Sequence, residues 1–347
     1  MTNLQELVDL LQDDDEDVRR KALDALIATG SETPIPHILA ALADPGRWVR
    51  MAAIGGVSKL KVREAIPTLV GLLKDPNRWG RGMAAEALAD LGETSAVPAI
   101  VEAYRAEGDE GCRGYFKRAL TELADSQATE VYLELLHSSD RWDQEQAIRA
   151  LEKVPDRRAI PRLLELLRSP GDLHRYDIID LLVVLGAKEK EAVAEIEKAT
   201  RDRHPLVRQG AVQALGVLGR ERSKRALRRA LRDRDLDIKM QAARSLAALG
   251  EPGQALKSLD RLCRPYEKRL ARHEELALAD ISAVVRIAAA LAELGDPERA
   301  VELLQDLDRR PEQRNWPLLR RSAWQFLSGL GITIPPEVFE RPPAEDS

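Results

Sequence analysis

One arrangement recurs along this chain with a period of 31 to 33 residues, and it limits the fold more than any other feature. A basic residue follows a turn at Arg19, Arg50, Arg81, Arg113, Arg175, Arg208 and Lys239, with Gln144 in the one remaining place. The steps are 31, 31, 32, 31, 31, 33 and 31 residues. A period of this length marks stacked helical repeats, each burying its apolar face against its neighbours. Three places after the basic residue stand Ala22, Ala53, Ala84, Phe116, Ala147, Ile178, Ala211 and Ala242. Seven places after it stand Leu26, Val57, Leu88, Leu120, Leu151, Leu182, Leu215 and Leu246. Offsets of three and seven share one face of an α-helix, so both columns predict its buried stripe.

Turn chemistry marks the ends of that helix. Six places before the basic residue are Asp13, Asp44, Asp75, Glu107, Ser138, Ser169, Asp202 and Asp233, mostly turn or N-cap types. Gly30, Gly92, Gly186, Gly219 and Gly250 close the helix where a left-handed C-cap suits glycine. A second apolar segment follows, often opened by proline: Pro36, Pro67, Pro98 and Pro161. Each unit therefore reads helix, turn, helix, and residues 1–256 read as eight such repeats. After Gly250 the spacing stretches to Gly295 and Gly331. Residues 257–333 are expected to form two longer, divergent capping repeats, partly like a tetratricopeptide pair. The proline-rich tail 334–347 is too poor in apolar residues to fold alone, so disorder is expected there.

The pattern resembles the HEAT-like repeats of the phycobilin-lyase type. The segment Asp202-Arg203-His204-Pro205-Leu206-Val207-Arg208, followed by Ala211, Ala214, Leu215, Leu218 and Gly219, carries the resemblance most clearly. It implies an all-α, right-handed α-solenoid of about ten helical-hairpin repeats. On function it is nearly silent, because the class includes lyases, hydroxylases and plain scaffolds.

Composition narrows the class. Hydrophobic residues make up 44%, charged residues 32%, and the net charge is -5. No apolar run reaches the ~18 residues of a membrane span, and the first residues do not read as a secretory signal. A cytoplasmic protein with no membrane association is expected. Cys112 and Cys263 are too few for a disulfide framework or a cysteine metal site. The five histidines lack partners at ligand spacing. Deoxyhypusine hydroxylases, of the same repeat class, use several His-Glu pairs to hold two irons, whereas His273-Glu274 is a single pair. No cofactor or metal is expected, no catalytic set is visible, and the chain reads as a non-enzyme.

Three surface features remain. Two places before the basic residue stand Trp48, Trp79 and Trp142, each preceded by arginine: Arg47, Arg78 and Arg141. Trp and Arg are the side chains enriched at binding hot spots; the alternative is that each indole covers its loop under a cation–π contact. Five places after the basic residue, Glu86, Arg118, Arg149 and Asp180 are expected to face the concave groove that second helices line in HEAT-like folds. Their mixed signs suit a protein partner better than a duplex. The third feature is a basic run, Arg222, Arg225, Arg228, Arg229 and Arg232, extended by Arg264, Lys268, Arg269 and Arg272. The expected function is a protein–protein scaffold using the groove and the Trp/Arg edge. The alternatives are nucleic-acid or acidic-ligand binding through repeats 7–9, and a HEAT-like lyase or DNA glycosylase, for which Trp142-Asp143 is the weak pointer.

Overall fold

Each period folds as a helical hairpin, and the computed structural model, which describes residues 4–30, 34–169, 174–310, 313 and 316–332, contains no strand among them. The chain divides into two compact units, Met1–Leu163 and Leu164–Ser347. The first holds α1 (Leu4–Leu10), α2 (Glu16–Ala28), α3 (Ile35–Ala41), α4 (Arg47–Lys59), α5 (Ile66–Leu72), α6 (Arg78–Asp90), α7 (Val97–Ala106), α8 (Glu110–Leu123), α9 (Thr129–Leu136) and α10 (Arg141–Lys153); the boundary falls within α11 (Ile160–Arg168). The second continues with α12 (Arg175–Val184), α13 (Lys190–Ala199), α14 (Pro205–Leu218), α15 (Lys224–Ala230), α16 (Leu236–Ala248), α17 (Pro252–Ala271), α18 (Leu278–Glu293), α19 (Pro297–Asp308) and α20 (Trp316–Gly329).

The even-numbered helices carry the two apolar columns, and all sixteen column residues are at most 2% exposed. Within the first unit α2, α4, α6, α8 and α10 pack each on the next, as do α12, α14, α16 and α18 within the second. Alanine in the first column lets these backbones approach, and a fully buried leucine contributes about 1.5–3 kcal/mol. The prolines sit in the first turn of α3, α5 and α7, where the missing N–H is not needed.

Of the two roles expected for the residue six before the basic one, turn or N-cap, the structure shows the turn. Its carboxylate accepts the N–H two residues on, as Asp75 does from Asn77 at 2.7 Å and Asp233 from Asp235 at 2.9 Å. The N-cap is that second residue: Asn77 caps Trp79, and Asp140 caps Trp142. One expectation, for glycine, needed correction. Gly30, Gly92, Gly186 and Gly250 adopt positive φ as expected, but Gly219 has φ -65°. Glycine is needed there because a Cβ would lie 2.1 Å from the Leu215 carbonyl oxygen. Lys61 and Ala124 take the left-handed turn in their repeats.

In the second unit α17 runs unbroken through Pro265 for 20 residues, which accounts for the stretched spacing after Gly250. Its buried Ala255, Leu259, Cys263 and Leu270 join a core with α18, α19 and α20 that includes Trp316 and Trp324. The tail 334–347 lies outside the described residues.

Candidate functional site

The basic column forms a ladder between repeats. Arg50 donates to both oxygens of Asp75 (2.7 and 3.0 Å) and to the carbonyls of Asp44 and Pro45 in its own turn. Arg19 does the same with Asp44, Arg81 with Glu107 and Arg208 with Asp233. Arg175 pairs with Asp202. Each rung ties one repeat to the next while holding the turn from which the second helix starts. The Arg81 guanidinium holds the Glu107 carboxyl down at about 2, against the opposing effect of burial.

The ladder breaks at repeat 4, because Ser138 offers Arg113 no carboxylate. Arg113 turns to Glu110 at 2.8 Å and lies over the Tyr104 ring. A buried pair replaces the rung: Lys117 donates to Asp143 at 2.6 Å, and Ser138 donates to the other oxygen at 2.9 Å. Asp143, the residue that pointed to a glycosylase, is thus committed to joining α8 and α10.

This architecture places the tryptophans. Trp48, Trp79 and Trp142 lie in the first turns of α4, α6 and α10 and are 46%, 41% and 39% exposed, high for indoles. Arg47 sits 5.1 Å from the Trp48 ring centroid and Arg78 4.9 Å from that of Trp79. Arg141, expected over Trp142, is not there; Lys117 approaches that ring at 6.0 Å, positioned by its bond to Asp143. Arg78 is also held by Asp109 at 2.7 Å. At α4 the first turn is capped from the preceding repeat, Glu16 accepting the Trp48 N–H at 2.7 Å in the space Gly46 leaves open.

Sequence periodicity missed one member of this surface. Tyr115, on α8, meets Trp79 edge-on at 6.0 Å and 87° and lies beneath Arg118 at 5.4 Å. Gly82 makes room for that ring, since a Cβ there would come within 2.8 Å of it. The signal was available in the tyrosine two places after Arg113, but that place is not aromatic in other repeats. Arg118 also pairs with Glu86 across neighbouring repeats, and Arg149 pairs with Glu145 at 2.6 Å. Asp180 belongs to the second unit, where burial lifts its carboxyl above the ordinary range against the Tyr176 hydroxyl. In the first unit Glu86, Arg118 and Arg149 are therefore each paired with a side chain of opposite charge.

In the second unit Arg222 donates to the Lys190 carbonyl and Arg228 pairs with Glu251, whereas Arg225, Arg229 and Arg232 are exposed and form no ion pair among the described residues. A cavity of about 420 Å³ there is walled by Met240, Val285, Phe326 and Leu327, with the Arg244–Glu293 and Arg286–Asp237 pairs at its edge. Among the described residues no three metal-ligating side chains converge, and no helix is long and apolar enough to cross a membrane. Burial pushes both cysteine thiols up to about 12.

Stacked helical hairpins joined through their second helices, with side chains displayed once per repeat, define an all-α solenoid. Residues 2–58, 35–115 and 193–292 match the family model of HEAT repeats, and residues 143–169 match the PBS lyase HEAT-like repeat. The chain belongs to the HEAT-repeat family. It is 31% identical over 154 residues to phycocyanobilin lyase subunit alpha of Picosynechococcus sp., a match covering 40% of this chain and 57% of that protein. It thus spans little more than half of that relative's length. Solved structures with the same fold include Kap95p, studied with RanGDP (TM-score 0.58, 14% identity, 94% of this chain and 52% of that one). An engineered protein is also similar (TM-score 0.52, 21% identity, 96% and 100%).

Proposed function

We propose that this chain is a non-enzymatic, cytoplasmic scaffold that binds a protein partner through the second-helix layer of residues 1–163 and its Trp/Arg edge. The observation that carries this reading is the set of three indoles exposed at one repeat position. Covering the exposed part of each, roughly 100 Å² of a side chain that can bury up to 250 Å², is worth about 2.5 kcal/mol. Glu86, Arg118 and Arg149 then form a polar margin whose paired charges favour a partner with complementary polar groups over a uniform polyanion. Stacked repeats present such a surface without rearrangement, which lowers the entropic cost of binding.

The test is affinity capture from nuclease-treated lysate, comparing the intact chain with a Trp48→Ala/Trp79→Ala/Trp142→Ala variant shown to be helical by circular dichroism. A protein captured by the first and lost by the second supports the scaffold. Equal capture assigns the indoles to packing. The kinship with a lyase subunit favours a second reading, a component of a bilin-handling lyase. A visible absorbance change when the purified chain meets free bilin would support it, and an unchanged spectrum would count against it.

A further inference from the structure

We infer that the outward face of α15 and α17 is a second binding surface, built to take a short acidic segment of a protein. On α17, Lys257, Arg261, Arg264 and Lys268 follow one another at steps of four, three and four residues, and all are exposed. On a helix this spacing draws a single line about 16 Å long. The line lies opposite the buried Ala255, Leu259 and Cys263, so it faces away from the core. On α15 and the turn after it, Arg225, Arg229 and Arg232 are exposed on the face opposite the buried Ala226, Leu227 and Ala230. The two helices adjoin, since Arg228 of the first reaches Glu251 and Gln254 at the start of the second.

Six of these cations, Arg225, Arg229, Arg232, Lys257, Arg261 and Lys268, form no ion pair among the described residues. That contrasts with Arg19, Arg50, Arg81 and Arg208 of the basic column, each held by a carboxylate of the next repeat. Arg269, grouped with this run by sequence, is turned away to Asp280 and Glu274.

The surface is also bounded. On one side α13 offers mixed, mutually paired charges such as Lys198 with Glu195. On the other, α19 exposes Glu298 and Glu302. A rigid duplex, with a charge every ~1.7 Å, would run its phosphates over those carboxylates. No exposed aromatic stands on α15 or α17 to stack single-stranded bases, and no exposed large apolar side chain stands there to enter a bilayer. An extended acidic peptide fits: alternate side chains repeat at about 6.6 Å, against a mean step of about 5.5 Å along the α17 line, a difference that long lysine and arginine side chains span.

The experiment titrates the full chain into a short fluorescein-labelled oligoglutamate and follows anisotropy at low and moderate salt. Binding that weakens as salt rises is expected. In a folded Arg225→Gln/Arg229→Gln/Lys257→Gln/Arg261→Gln variant it should fall about tenfold or more, while the triple tryptophan variant should bind like the parent. Duplex DNA should bind more weakly than oligoglutamate and gain affinity in a Glu298→Lys/Glu302→Lys variant. Unchanged oligoglutamate affinity in the four-site variant overturns the assignment. So does tighter binding of duplex DNA, or of phosphatidylserine vesicles, lost in that same variant.

Discussion

Replacing Asp75 with alanine tests the ladder where it is most buried. The Asp75 side chain is 1% exposed and accepts three hydrogen bonds, two from Arg50 and one from the Asn77 N–H. Charge-assisted bonds contribute about 1.5–3 kcal/mol each, and the loss of one partner from a fully buried ion pair costs about 3–5 kcal/mol. Arg50 is 13% exposed and keeps the carbonyls of Asp44 and Pro45, so part of its charge stays solvated and satisfied. The net cost of Asp75→Ala should be about 3 kcal/mol. It should be read by urea unfolding, with amide exchange on α4 and α6 showing the protection lost first at that interface. A double-mutant cycle with Arg50→Met should give a coupling of about 2 kcal/mol. The exposed Lys74–Glu102 pair, also near 3.0 Å, is the control and should contribute within about 0.5 kcal/mol. A cost for Asp75→Ala no larger than that control, or no coupling to Arg50, would refute a structural role for the ladder.

Acid should loosen the same contacts. Glu107 is depressed to about 2 from an ordinary 4.5, so its contribution is complete above pH 4.5 and is lost as pH falls towards 2; the stability gap between parent and Glu107→Gln should close over that window, and a gap constant with pH contradicts the reasoning. Ala124→Gly should stabilise by up to about 1 kcal/mol by relieving φ 44°, whereas Gly219→Ala should destabilise because its Cβ meets the Leu215 carbonyl; a lower melting temperature for the first variant, or an unchanged or higher one for the second, would refute the corresponding account. Cys112 and Cys263, buried and raised to about 12, should react with a thiol reagent at neutral pH only on unfolding, and fast labelling of the folded chain would show that their burial is wrong.

The sequence alone determined the helices and their inward faces. The alanine and leucine columns, the prolines opening first helices and the places of Trp48, Trp79 and Trp142 at helix starts all follow from periodicity and backbone chemistry within a single repeat. Such rules act over one or two helical turns, so they can be read without knowing what lies alongside. The tertiary structure decided which side chains meet. Arg50 and Asp75 were both visible as repeating positions, but their pairing spans 25 residues and depends on how one hairpin docks against the next. The same holds for Lys117 rather than Arg141 beside Trp142, for Tyr115 against Trp79, and for Arg269 withdrawn into pairs while Lys257 and Arg261 stand free. Hydrogen bonds and ion pairs discriminate over a few tenths of an ångström, and only the packed distance between repeats sets that separation.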